Sequence, residues 1–509
     1  MTKATTQRVR QSMLSMLIAR PISAVGGLLV LVFLSRLLQP QEYAIYFAIW
    51  AVAEIAILAS NLGLLQAAYR YISASELSNG ITVAHGPVVS FVVLRIMTLL
   101  AVASVLAFFP SIFKFVFPNN NISEKLGIFV AAIIVGEGLA RYIESIFDSM
   151  LCQGRSQISL IIRTVLRLVA IGFIALQGEL NIQNVVYIEV GVTLVGALVS
   201  ITMLAIMLAS STKYASNDER IAYKRMLQFA LPAFIAQLLG ITYGPDALKI
   251  TLAGLVGANA LAVFGFAYSL AAVVQRYIPA NILAGVFRPI FVAASKKEDS
   301  DKILPALLSF LVKINWIFIA PIFCGLFFSG DFILSKVSAG NYPAAGMVLS
   351  LIVLGLLPIA MHATLSMYCL AKETSWAPLY ATALSVLGLP IAIYLGREHG
   401  AVGVAIAFGV SELIWSITCY VLLARSEYAL KAFEYHGLLK ILNAMLLALL
   451  FGYIVTSFMV SYDLLVGFSS GLFFFVVIYF TGVFSLQEKQ WLASVLPAKL
   501  VKILRLNNA

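Results

Sequence analysis

An all-α, polytopic membrane fold of about fourteen transmembrane helices is what three observations predict. Hydrophobic residues make up 61% of the 509 and charged residues only 11%, against about 45–50% and about 25% in an ordinary soluble domain. Apolar runs able to cross about 30 Å of hydrocarbon recur along the whole chain, and its mean hydropathy is +0.97. Short segments also match one another at a nearly constant separation. Together these predict two parallel six-helix repeats around a central cavity, followed by two C-terminal helices.

The apolar runs begin near residues 13, 43, 87, 126, 157, 184, 227, 258, 303, 344, 376, 400, 438 and 463. The first follows Lys3, Arg8 and Arg10 as a secretory leader would, but it is too long for one and is interrupted at Arg20-Pro21, so it reads as a retained span. The seventh contains "ITYGPDALKI" (241–250) and is a broken run. "RLLQPQEYAIYFAIW" (36–50) aligns with "GLVGANALAVFGFAY" (254–268), "MLCQGRS" (150–156) with "MYCLAKE" (367–373), and "SITM" (200–203) with "SITC" (416–419). The order is kept, so a duplication is expected. Six spans per repeat is an even number, and both copies then enter the membrane from the same side. The expected divisions are residues 1–212, 213–430 and a two-helix addition over 431–509.

Loop charge orients the chain. With the N-terminus inside, the inward loops hold Arg70, Arg155, Lys213, Arg220, Lys224, Arg225, Lys296, Lys297, Lys302, Lys372, Arg425, Lys431 and Lys440, and the outward loops only Arg36, Lys114, Lys125, Lys336 and Arg397. This bias predicts cytoplasmic termini. The net charge of +11 is therefore a topology signal and an attraction for anionic lipids. Nucleic acid is not expected as a partner, because the basic residues are scattered among short loops. Cys152, Cys324, Cys369 and Cys419 have no metal-binding spacing and are expected to be free thiols.

Charge also occurs inside the spans. In "GEGLARYIESIFDSM" (136–150), Glu137, Arg141, Glu144 and Asp148 are spaced four, three and four apart, which places them in one sector of a helix. Lipid cannot face that sector, since a charge at the bilayer centre costs about 2.5–3.5 kcal/mol on insertion scales. Further charges stand at Arg20, Glu54, Arg95, Arg163, Arg167, Asp246, Lys249, Arg276, Lys313, His362 and Glu412. Two explanations stay open. The ladder can be an intrahelical ion pair, with Asp148 meeting Arg163 to fasten two helices; or the charges converge on a wet chamber shared by both halves. Arginines at mid-depth suit the second, because guanidinium is always charged and binds phosphate bidentately. Asp299-Ser300-Asp301 reads as a solvated loop and not as a metal-binding DxD, since no catalytic domain surrounds it.

Several classes are excluded. No Gly-Lys dipeptide occurs, so there is no Walker A loop, and no histidine is followed by glutamate, so there is no HExxH site. No periodic arginine voltage sensor is present. No cofactor, metal centre or enzymatic activity is expected. Two equivalent halves with a charged core describe a secondary transporter.

"LSRLLQPQEYAIYFAIWAVAEIAILASNLGLLQAAYRYIS" (34–73) resembles the opening of bacterial polysaccharide-transport proteins, the O-antigen or Wzx-type flippases of the multidrug/oligosaccharidyl-lipid/polysaccharide (MOP) superfamily. Pro40, Tyr43, Tyr46, Leu62-Gly63-Leu64, Arg70 and Tyr71 stand at matching places, while Ala44 and Asn61 depart from the pattern's Gly and Asp. "LCQGRSQ" (151–157) is similar to the family's turn after the fourth span, and the two additional spans resemble the lipid II flippase branch.

The resemblance implies a flippase of the bacterial inner membrane that moves an undecaprenyl-diphosphate-linked oligosaccharide, with the polyprenyl tail left among membrane lipids and polysaccharide polymerase or assembly proteins as partners. Arg20, Arg95, Arg141, Arg163, Arg167, Arg276 and Lys313 would then hold diphosphate and sugar. Glu54, Glu137, Glu144 and Glu412 would act as counter-ions or take a coupling H+ or Na+, and Tyr46, Tyr142, Tyr243 and Tyr268 would stack on sugar rings. One rival is a cation-coupled multidrug exporter, which the arginines disfavour. Another is a membrane-embedded glycan polymerase or acyltransferase, which the short outward loops disfavour.

Overall fold

A computed structural model describes residues 21–65, 85–108, 126–210, 223–279, 298–426 and 433–490, apart from one to three positions at places within these stretches, together with Ala68, Phe291 and Ser295. Every apolar run that falls in them is helical. This is what hydrocarbon demands, because a span must satisfy its own backbone N–H and C=O groups. In chain order the helices are α1 (Pro21–Leu37), α2 (Pro40–Ala59), α3 (His85–Phe108), α4 (Leu126–Ser149), α5 (Gln153–Leu176), α6 (Ile182–Ser210), α7 (Tyr223–Tyr243), α8 (Pro245–Leu255), α9 (Ala258–Arg276), α10 (Ser300–Val337), α11 (Ala345–Ala371), α12 (Trp376–Ser385), α13 (Gly388–Ser426), α14 (Tyr435–Phe458) and α15 (Asp463–Thr481). No strand occurs among the described residues.

Among the described residues, eleven helices are long and apolar enough to cross a membrane, counting α12 and α13 as one. The difference from fourteen runs has local causes. The first run begins outside the described residues; the seventh run breaks at Gly244-Pro245 into α7 and α8; and Gly400, with φ 58° and ψ −134°, interrupts α13 where two runs meet. That φ lies in the left-handed region, which glycine adopts without a Cβ clash.

Two compact units are formed, Met1–Ala262 and Val263–Ala509. Their division lies within α9, and α8 and α7 pack on α2. In the first unit α4 is central, touching α2, α3, α5 and α6. In the second, α10 packs on α11, α14 and α15, so the two C-terminal helices belong to this unit's body. Burial follows these positions. Of their most apolar stretches, 61% is buried in α2, α4 and α11 but only 22% in α5 and α15. The outer helices turn bare apolar side chains outward, such as Val169, Phe173 and Leu176 on α5 and Phe468 and Phe480 on α15. Without lipid such surface would be aggregation-prone. None of the four cysteines is in a disulfide.

α10 and α11 meet backbone to backbone. A Cβ on Gly346 would strike the amide nitrogen of Asp331 and the carbonyl carbon of Gly330, while the Asp331 carboxylate accepts the Gly346 N–H at 2.9 Å. Backbone cannot swing aside as a side chain can. Gly346→Ala is therefore expected to cost about 1–3 kcal/mol, the usual range for overpacking, read as a lower unfolding temperature of the detergent-purified protein.

Candidate functional site

The charge ladder of α4 is completed by its neighbours. Arg141 Nη1 contacts Glu54 Oε1 of α2 at 2.7 Å, and its Nε contacts Glu137 Oε1 at 2.6 Å. The other oxygen of Glu137 lies 2.5 Å from Arg163 Nη1 of α5, whose Nη2 reaches Glu144 Oε1 at 2.6 Å. The result is an alternating chain, Glu54–Arg141–Glu137–Arg163–Glu144, running across three helices. Its fit needs Gly196 on α6, where a Cβ would collide with the methylenes of Arg163. One turn along α5, Arg167 pairs with Glu189 of α6 at 2.7 Å and lies over the Trp50 ring, 5.6 Å from its centroid. Tyr46 donates to the second oxygen of Glu189 at 3.3 Å.

Four carboxylates thus meet three guanidiniums in these ion pairs, so with all of them ionised the pairs carry one negative charge in excess. No guanidinium is idle, and an entering anion must displace a carboxylate. The accessible place for this is Arg141, whose side chain is 42% exposed, against 4% for Arg163 and 20% for Arg167. Glu54 beside it is also partly open. Glu189 was absent from the expected site residues, although the rule that singles out Glu54, a lone carboxylate in an apolar run, applies to it equally.

Other expected residues are placed differently. Arg95 is enclosed and meets no carboxylate among the described residues; it donates to Ile57 O at 2.9 Å and Ser60 Oγ at 3.1 Å, over the Tyr142 ring. Those acceptors lie at the C-terminal end of α2, where unpaired carbonyls and the helix dipole favour a cation. Asp148 accepts a hydrogen bond from Ser156 at 2.7 Å, and the carboxylates on Arg163 are Glu137 and Glu144. α4 is fastened to α5 by the ion pairs of Glu137 and Glu144 with Arg163 and by the Asp148–Ser156 hydrogen bond, so Asp148 joins the two helices through Ser156 and not through Arg163. Asp246 and Lys249 pair within α8 at 2.8 Å. Tyr46, Tyr142 and Tyr243 are packed inside the first unit and present no ring for a sugar to cover. Arg20 lies outside the described residues.

In the second unit Lys313 is fully enclosed, 2.8 Å from Glu434 and 2.9 Å from Glu488. Glu434 precedes α14 and Glu488 follows α15, so this lysine ties the ends of the last two helices to α10. α10 has 38 residues, about 57 Å at about 1.5 Å per residue, far more than the hydrocarbon needs. Lys313 takes no part in the Arg141 network: the carboxylates on it are Glu434 and Glu488. Glu412 pairs with His362 at 2.8 Å, and Arg276 is exposed in the last turn of α9. Tyr268 stacks on Phe264. Asp301 of the DxD-like stretch is exposed and bonded to Lys372 at 3.1 Å. Among the described residues no group of three or more His, Cys, Asp and Glu side chains could hold a metal ion.

Long apolar helices, outward apolar faces and a buried charge network mark a multi-pass membrane protein, and its fold is shared by solved MurJ and MATE transporter structures. Solved structures agree with this class. A lipid II flippase MurJ in an inward closed conformation matches with a TM-score of 0.66 at 16% identity, over 91% of this chain and 98% of that one. An inward-facing multidrug resistance MATE transporter of the MOP superfamily matches with a TM-score of 0.59 at 14% identity, over 81% and 96%. The MATE transporter VcmN of Vibrio cholerae matches with a TM-score of 0.57 at 16% identity, over 83% and 98%. No curated protein matches the sequence. The chain belongs to the polysaccharide biosynthesis protein family, whose model matches residues 9–295.

Proposed function

We propose that the protein is a flippase that moves an undecaprenyl-diphosphate-linked oligosaccharide, the repeat unit of an O-antigen, capsule or exopolysaccharide, from the cytoplasmic to the periplasmic leaflet of a bacterial inner membrane. It works by alternating access coupled to an ion, with both termini in the cytoplasm, and delivers the unit to polysaccharide polymerase and assembly proteins. Family membership supports the glycan pathway, and the similar MurJ structure is that of a lipid II flippase. The observation that carries the reading is Arg141, a half-exposed guanidinium at the open end of a buried ion-pair chain. Diphosphate takes its place against Glu54 by exchange, which avoids leaving any guanidinium unpaired in the empty state.

The test is glycan display on the cell surface. Arg141→Ala is expected to abolish display with the protein still in the membrane, and Arg141→Lys to retain part of it, because a point charge attracts phosphate but cannot grip it bidentately. Native display by Arg141→Ala rules out the exchange. The excess carboxylate favours a second reading, a cation-coupled multidrug exporter. Raised sensitivity to cationic drugs on deletion, with display unchanged, selects it.

A further inference from the structure

The second unit holds a titratable pair that the anion site does not use. His362 on α11 and Glu412 on α13 meet with Nδ1 2.8 Å from Oε2. The imidazole lies on the Trp415 ring, centroids 3.4 Å apart and planes 14° apart. Trp415 is itself enclosed, and its Nε1 donates to Thr382 Oγ1 at 2.9 Å. Four residues along each helix a second rung joins the same two elements: the Ser416 hydroxyl donates to Pro358 O at 2.9 Å. Pro358 stands inside α11, where the missing N–H frees a carbonyl of the preceding turn and weakens the helix. A change of charge on the upper rung therefore acts beside a built-in weak point.

Few other ionisable groups face this pair. α13 contributes only Glu412 at this level; Cys419 and Tyr420 lie about two turns further, and Arg397, Glu398 and His399 precede the Gly400 break. On α11 the nearest are Tyr368 and Cys369. α10 brings Trp316, whose Nε1 donates to Leu357 O, and Lys313, which is held by Glu434 and Glu488; its other charges, Asp301, Lys302, Asp331 and Lys336, lie toward its ends. α12 carries Tyr380, which is exposed, and α9 sets the Tyr268 ring edge-on against Phe408, one turn before Glu412 on α13. Both members of the pair keep a route to water, with side chains 30% and 13% exposed.

Resting on the transport reading above, we propose that His362 and Glu412 form the coupling site of this transporter and that the ion is a proton. One nitrogen and one carboxylate offer too few oxygens for a hard metal cation, whereas a proton needs a single acceptor. Uptake of one proton converts imidazole–carboxylate, net charge −1, into imidazolium–carboxylate, net charge zero; its loss restores the first state. The two states differ in the strength of the α11–α13 rung, so proton binding biases the helix pair toward one arrangement.

Trp415 is the built-in reporter, since an imidazolium stacked on indole quenches its emission. The full chain in nanodiscs is titrated by tryptophan fluorescence. Acid quenching is expected in the native protein and in Glu412→Asp, to vanish in His362→Gln and Trp415→Phe, and to be displaced along the pH axis in Glu412→Gln. Quenching that persists unchanged in His362→Gln overturns the proton site. In cells, His362→Gln and Glu412→Gln are expected to lose glycan display at native protein levels. Native display in both overturns the coupling role. Quenching that behaves as expected in a strain whose display survives deletion of the whole chain supports the proton pair and refutes the transport reading instead.

Discussion

Replacing Glu137 with Gln is expected to lower the stability of the first unit by about 3–5 kcal/mol, the cost of breaking a buried ion pair by removing one partner. Among the described residues Glu137 alone joins Arg141 to Arg163, at 2.6 and 2.5 Å, and its side chain is 5% exposed. Gln preserves the shape but removes the charge, which leaves Arg163 with Glu144 alone in a protein interior. Total stabilities are about 5–15 kcal/mol, so the loss is a large fraction. Thermal unfolding of the detergent-purified protein measures it. A cycle with Arg163→Met isolates the cause: the double variant is expected to lose less than the sum of the single losses, because the two charges depart together. An unfolding temperature of Glu137→Gln equal to that of the native protein would show that the network does not hold α2, α4 and α5 together.

A comparable loss is expected for Lys313→Met, through a different mechanism. Glu488 has a side chain 2% exposed and would lose its lysine, whereas Glu434 is 51% exposed and water would solvate it. The cost comes almost wholly from Glu488, again about 3–5 kcal/mol. Lys313→Met with Glu488→Gln is then expected to recover most of the stability, since the pair is replaced by groups that need no counter-charge. The space is already shaped for the lysine: a Cβ on Gly437 would collide with its Cε. Surface display separates this role from substrate binding. If Lys313 fastens α14 and α15 to α10, the double variant displays glycan; a stable double variant without display would return Lys313 to the substrate path.

Both predictions concern partners far apart in the chain, and this is where sequence reading reaches its limit. Glu137, Arg141 and Glu144 could be placed on one helix face from their spacing alone, and the structure keeps them there. Asp148, on the same face, pairs with Ser156. Arg95 looked like an anion ligand because a charge at that depth demands compensation. What compensates it is the end of α2, through Ile57 O and Ser60 Oγ, a backbone partner that no charge pattern announces.

The helices and their breaks follow from the amino-acid sequence. Apolarity over a membrane's thickness and the chemistry of Gly244-Pro245 and Gly400 are local properties, legible one segment at a time. The tertiary structure alone decided which charges are joined. Arg167 finds Glu189 and Lys313 finds Glu488, 22 and 175 residues away. Such partners are selected by distance in space once helices pack, and each buried cation takes whichever carboxylate or carbonyl the packing delivers.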